Sequence, residues 1–291
     1  MNAVRRSAAT LVAVGAAVVF GTAACSDNTS PAVAALSLAQ ADSVSQVLTA
    51  DAQGEIDFAA EEGAAGYLPG ASPALTPPPA CVSRAPVPPA NSDGDGVPDS
   101  VRLTFDNCVV NFLASSDTLR GTIDILDPTP SVTDHAVTHR FTDLARIHVG
   151  PAGREASITL NGTREISGDS AQLALTSTDF QTDYQWRNGA TATHLRGWAV
   201  QFTADVAGSI ELDAPLPAGT LTIQGSSTWT RGTNSWTIVA STPAPLHFDP
   251  TCDVRPRFDA GTFQAEVTRN GNTSNVTIQF TACGQYSVTR S

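Results

Sequence analysis

The strongest constraint on the fold is a change of period near residue 101. Val101, Leu103 and Phe105 alternate with Arg102, Thr104 and Asp106, and alternation of this kind recurs to the C-terminus. Side chains of a strand point to opposite faces in turn, so a period of two means strands with one apolar and one polar face. Further strand candidates are 121–126, 141–149, 157–161, 171–180, 182–187, 194–204, 208–212, 219–225, 227–230, 235–240, 261–269 and 276–282. Thr is frequent on the polar phase, as strands favour. The dipeptides Asn161-Gly162, Asn188-Gly189 and Asn270-Gly271 read as hairpin turns. The segment from Thr228-Trp229-Thr230 to Ser235-Trp236-Thr237, around Arg231-Gly232-Thr233-Asn234, reads as a near-symmetric hairpin. About a dozen strands with no intervening helix pattern predict an all-β antiparallel meander, forming a large curved sheet, a barrel or a sandwich.

The chain before this region is organised differently. Residues 33–62 form the one helical candidate, rich in Ala, with Leu36, Val44, Val47, Leu48 and Ile56 along a loose apolar face. Gly54 interrupts it, so one helix and two short ones are equal expectations. Residues 63–90 carry Gly63, Gly66, Gly70 and a run of prolines from Pro73 to Pro89, and read as an extended linker. Residues 1–24 read as a signal peptide: Arg5 and Arg6 precede an apolar run from Ala8 to Phe20 and small residues at 22–24. Residues 25–35 then read as a tether, 36–62 as the helical segment and 91–291 as the β-domain.

The ending Ala23-Ala24-Cys25 resembles a bacterial lipobox, with Thr22 where that motif prefers Leu. The resemblance implies that Cys25 becomes a lipidated N-terminus. Cleavage by ordinary signal peptidase is the alternative. Cysteine parity favours lipid. Of five cysteines, a lipidated Cys25 leaves an even set of four. The sequence-local pairing, Cys81–Cys108 and Cys252–Cys283, is expected, each bridge contributing about 3–4 kcal/mol in the chain-entropy view. A four-cysteine metal site is excluded by the lack of a CxxC spacing. Ser26 after the lipobox is the residue that suits sorting to the outer membrane. The expected location is therefore the exported, membrane-anchored side of the envelope, at the outer membrane or cell surface.

One stretch suggests a metal. In Asn91-Ser92-Asp93-Gly94-Asp95-Gly96-Val97-Pro98-Asp99, oxygen-bearing side chains fall at positions 1, 3, 5 and 9, and Val97 offers a backbone carbonyl at position 7. Gly96 permits the sharp turn that wraps such a loop around a hard cation, and Ca2+ takes six to eight oxygens. The stretch resembles the DxDxDG loops of thrombospondin type 3 and dockerin-like repeats. The resemblance spans about a dozen residues and implies Asn91, Asp93, Asp95 and Asp99 as side-chain ligands of a structural Ca2+. This chain departs from the loop pattern at Asn91, which lacks a charge, and at Arg102, where an EF-hand has its bidentate Glu. A solvated acidic turn is the alternative.

The rest of the chemistry is largely negative. All 16 basic residues are Arg, which excludes Lys-based catalysis. The formal charge of −12 becomes −14 once Arg5 and Arg6 leave with the leader, which argues against nucleic acid and against direct binding to anionic lipid. Asp134, His135 and His139 suggest a metal site by residue type, but a three-residue gap in a loop has no ligand geometry, and His135, His139, His148 and His194 read as exposed loop or strand residues. Gly168-Asp169-Ser170, which resembles the nucleophile block of SGNH hydrolases, reads as a turn in an all-β context. Tyr184, Trp186, Trp198, Trp229 and Trp236 concentrate the large aromatics, and read as cross-strand packing rather than as a sugar- or lipid-binding face. The expectation is a non-enzymatic envelope lipoprotein with a binding or structural sheet. A carrier of lipid or other hydrophobic ligands and a carbohydrate-binding or carbohydrate-active domain are the rivals.

Overall fold

The computed structural model describes residues 36–63, 80–112, 115–150, 153–211 and 214–291. The signal peptide, Cys25 and its tether, and most of the linker lie outside these residues. One helix, α1 (Leu38–Gly63), precedes twelve strands: β1 (Val82–Ala85), β2 (Ser100–Phe112), β3 (Ser115–Leu126), β4 (Val137–Val149), β5 (Glu155–Gly168), β6 (Gln172–Gln185), β7 (Thr191–Ala204), β8 (Gly219–Arg231), β9 (Asn234–Phe248), β10 (Phe258–Arg269), β11 (Asn272–Ala282) and β12 (Gln285–Arg290). They form a single antiparallel sheet in sequence order, with β1 and β12 as its two edges. The meander expected from the alternation is thus an open sheet, neither a closed barrel nor a sandwich.

Helix α1 starts at a capping box. The Ser37 hydroxyl accepts from the Gln40 N–H at 3.2 Å, and the Gln40 side chain accepts from the Ser37 N–H at 2.8 Å. Gly54 is carried inside one continuous helix. Partners of α1 are spread across the sheet. Phe58 meets His139 on β4 edge to face, Glu55 meets Arg164 on β5, Asp51 meets Arg196 on β7, and just before the helix Leu36 N–H donates to Ser274 on β11. Strands so far apart in sheet order reach one helix only if the sheet curls around it. The apolar phase of the strands and Leu48, Ala52, Ile56 and Ala59 of the helix form one continuous core on that concave side.

Strands β2 to β10 run 12 to 15 residues, about twice the usual length, and they bend at a row of bulges. Asn107 on β2, Asp143 on β4 and Asp179 on β6 have φ of 50°, 46° and 48°, each where the pairing register shifts. The three positions are evenly spaced, 36 residues apart. The extra residue also shifts the inward phase. On β6 the inward residues are Leu173, Leu175 and Ser177, then Phe180 and Thr182. This explains why one strand reads as two in the sequence, 171–180 and 182–187. On β8 the inward phase instead runs unbroken across Ser226, joining 219–225 and 227–230, and the register shift with β9 falls between Leu221 and Gln224.

Asn161-Gly162 is corrected: it is not a hairpin turn but the middle of β5, opposite the bulge on β6. A Cβ on Gly162 would lie 2.4 Å from the Asp179 carbonyl oxygen, and its φ is 114°. The sequence pattern resembles a turn because both sites need positive φ. Residues 208–211, expected to be strand, form the β7–β8 connection instead. The other two Asn-Gly pairs are turns, and the hairpin of β8 and β9 pairs Trp229 with Trp236 as its symmetry suggests.

Gly162→Ala is expected to cost roughly 2 kcal/mol or more in urea unfolding, from positive φ plus the clash with backbone. Gly189→Ala, at φ 77° with open space around it, is expected to cost about 1–2 kcal/mol. Equal losses would mean that the close approach of β5 and β6 contributes nothing.

Candidate functional site

Two places gather polar groups. The first is the contact between α1 and the concave face. Asp51 and Glu55 lie one helical turn apart and face inward among Leu48, Ala52 and Ile56. Glu55, 2% exposed at its side chain, accepts from Arg164 at 2.6 Å and from the Ser177 hydroxyl at 3.1 Å. The Arg164 guanidinium also lies 3.8 Å from the centre of the Phe58 ring. One turn back, Asp51 accepts from Arg196 at 3.3 Å, and Arg196 also donates to the Thr182 hydroxyl. On the opposite flank, Gln53 accepts from the Arg257 N–H at 2.6 Å, and Asp57 pairs with Arg255. So α1 is held by charge on both sides.

The electrostatics of this contact are those of a buried interface. Burial pushes the Asp51 carboxyl up to about 7, against the pull of Arg196. Burial holds the His194 imidazole down at about 2, helped by the Arg196 charge. His194 is therefore neutral, and its 3.4 Å approach to Asp51 is not an ion pair. His139 and His194 are corrected here: they are buried, not exposed, because they occupy inward positions and meet Phe58 and Asp51 of the helix. His148 by contrast lies at the surface beside Asp117, and His247 sits between Asp205 and Asp259, whose carboxylates hold its pKa above the usual imidazole range.

The aromatic residues pack on one another. Trp186, Tyr184, Trp229 and His194 make a stacked row, with the last pair 4.0 Å apart. Trp198 and Trp236 are buried in the core. This is the cross-strand packing expected, not a flat exposed strip. Asp169 accepts from the N–H groups of Ala171 and Gln172, so Gly168-Asp169-Ser170 is a turn.

The second place is the acidic loop. Its base is closed by Asn91 and Asp99. The Asn91 side chain accepts from Gly94 N–H at 2.7 Å, and the Asp99 carboxylate accepts from the Ser92 N–H and hydroxyl at 2.7 and 2.6 Å. These bonds hold the Asp99 carboxyl below the usual range. Asp93 and Asp95 turn the other way. They meet Asp127, at the end of β3, with carboxylate oxygens of all three within 4.8 Å of one another. Burial raises the Asp95 carboxyl to about 6, with Asp93 and Asp127 adding to the rise and the bond from Val97 N–H opposing it. Of the five loop residues expected around a metal, the structure brings Asp93 and Asp95 together. Asn91 and Asp99 shape the loop, and Val97 packs against the core.

Both expected disulfides are formed. Cys81–Cys108 ties the start of β1 to β2 and brackets the acidic loop, and Cys252–Cys283 ties the β9–β10 connection to the β11–β12 turn. Asp249 lies beside the second bridge, but its sulfurs are committed to each other and are not thiolate ligands. Two bridges suit an oxidising, extracytoplasmic compartment. Among the described residues no helix is long and apolar enough to cross a membrane. Compared with known proteins, the chain matches no family model, no curated protein and no solved structure.

Sequence reasoning missed Arg164 and Arg196. The available signal was their phase: each sits on the inward-facing alternation of its strand, beside Ile166 and His194. The i, i+4 acids Asp51 and Glu55 on α1 were their complement.

Glu55→Ala is expected to destabilise the protein by roughly 3–5 kcal/mol, because Arg164 stays buried without its partner. Glu55→Leu combined with Arg164→Met is expected to recover most of that loss in urea unfolding. A loss below about 1 kcal/mol for Glu55→Ala, the range of exposed pairs, would show that the pair is solvated.

Proposed function

We propose that this protein is an exported, lipid-anchored, non-enzymatic envelope protein whose curled sheet serves a structural or binding role. The observation that carries the reading is α1 itself. It occupies the concave face, where a carrier of this shape would hold its cargo. An apolar ligand needs an apolar wall, and a buried charge facing it would go unpaired. Here the wall presents Arg164, Arg196, Ser177 and His194, all engaged with or lying beside α1. Removing α1 would strand two arginines, so the helix behaves as a resident part of the core.

Among the described residues, two open grooves lie on the strands. One of about 510 Å3 runs over β9, β10 and β11, lined by Ser241, Gln264, Glu266 and Asn275 among others. Another of about 280 Å3 crosses β6, β7, β8 and β9. Such open grooves of mixed polar and apolar lining suit contact with a protein or glycan surface better than enclosure of a lipid chain. The tightly stacked aromatic row leaves few ring faces for sugar. The anchor would be Cys25, with residues 26–35 as the tether between membrane and helix.

Native mass spectrometry of the full-length product expressed in a double-membrane bacterium tests this reading. The expected result is an acylated Cys25 at the N-terminus, membrane fractionation lost in Cys25→Ser, and no additional lipid bound in stoichiometric amount. An unmodified N-terminus would contradict the anchor. One co-purifying lipid per chain would contradict the resident helix and favour the carrier.

A further inference from the structure

We propose that Asp93, Asp95 and Asp127 together bind a Ca2+ ion, in a site assembled between the acidic loop and the end of β3. Asp127 is the deciding residue. It lies outside the loop's own sequence, is 6% exposed, and its Oδ2 is inaccessible and without a hydrogen-bond partner. The Oδ2 atoms of Asp93 and Asp95 are likewise buried and unpartnered. In each of the three, Oδ1 is already used: Asp93 accepts from Asp95 N–H, Asp95 from Val97 N–H and Asp127 from Thr129 N–H, at 3.2, 2.7 and 2.7 Å. Each carboxylate is therefore held by one oxygen and left with the other free in the interior.

Three such groups repel one another, and among the described residues no Arg or His pairs with any of them. A buried carboxylate without a cation is strongly unfavourable. The separation of the oxygens, within 4.8 Å, is what one Ca2+ spans, since ligands at about 2.3–2.6 Å lie at most about 5 Å apart. An all-oxygen donor set suits a hard cation, and irregular loop donors suit the loose geometry of Ca2+ better than the strict octahedron of Mg2+. The ion would join the loop before β2 to the turn after β3. The Asp127 N–H, which donates to the Asp99 carbonyl at 3.3 Å, already brings those segments together. This inference rests on the carboxylate geometry and is independent of the envelope role.

The test is calorimetry on the full mature chain carrying Cys25→Ser, oxidised, first in EDTA and then in Ca2+ or Mg2+. Titration is expected to give one Ca2+ per chain, with a melting midpoint that rises with the logarithm of Ca2+ concentration. Asp127→Asn and Asp95→Asn are each expected to weaken binding on the order of tenfold or more, since charge count tunes such sites. Both are also expected to melt higher than the parent in EDTA, because one member of a repelling trio is gone. Asp106→Asn, outside the cluster, is expected to bind as the parent does. Absence of binding at millimolar Ca2+, or binding undiminished in Asp127→Asn, would overturn the site. Binding of Mg2+ alone would overturn the choice of ion. A lower EDTA midpoint in both Asn variants would show that the carboxylates are satisfied within the protein, and would overturn it too.

Discussion

The position of the one described helix inside the sheet is fixed by two buried acid–arginine contacts. Glu55 with Arg164 and Asp51 with Arg196 fix α1 at two successive turns. They act on β5 and β7, while Gln53 and Asp57 reach the opposite flank at Arg257 and Arg255. An open twelve-stranded sheet has no closure of its own to set its curvature. The helix helps to set it, by giving distant strands a common partner. The apolar contacts of Leu48 and Ile56 supply the bulk of the driving force. The charges add specificity, because a helix rotated or shifted by one residue would bury each of them alone.

The backbone of the sheet favours the same shape. A row of bulges at Asn107, Asp143 and Asp179 bends successive hairpins along one line. Facing glycines such as Gly121 and Gly162 let the backbones approach where any side chain would clash. Bulges increase local twist, so aligned bulges curl the whole sheet. The disulfides fix the two ends, one at β1 and β2 and the other by the β11–β12 turn. The curvature, the end staples and the inward charges therefore all specify the same arrangement.

Much of this was legible in the sequence. The alternation from Val101 onward announces antiparallel strands, and the Trp229–Trp236 hairpin and both disulfides follow from local pattern. The bulges were not legible as such. An Asp or Asn at positive φ looks like any polar strand residue, and Gly162 after Asn161 looks like a turn. The acidic loop was half legible. Asp93 and Asp95 are visible by spacing, but Asp127 lies beyond two strands, and only the pairing of β2 with β3 brings it alongside. His139 and His194 were misjudged because burial of a polar side chain depends on what covers the strand. Here the cover is a helix more than eighty residues earlier in the chain.

The central claim is that α1 is an integral part of the core, docked by buried charge, and not a removable plug. Amide hydrogen exchange on the intact mature chain, followed by mass spectrometry, tests it most directly. The account predicts that α1 from Leu48 to Ala59 exchanges as slowly as the inner strands β5 to β7, through one shared opening. Exchange of α1 within seconds, while those strands stay protected, would contradict it.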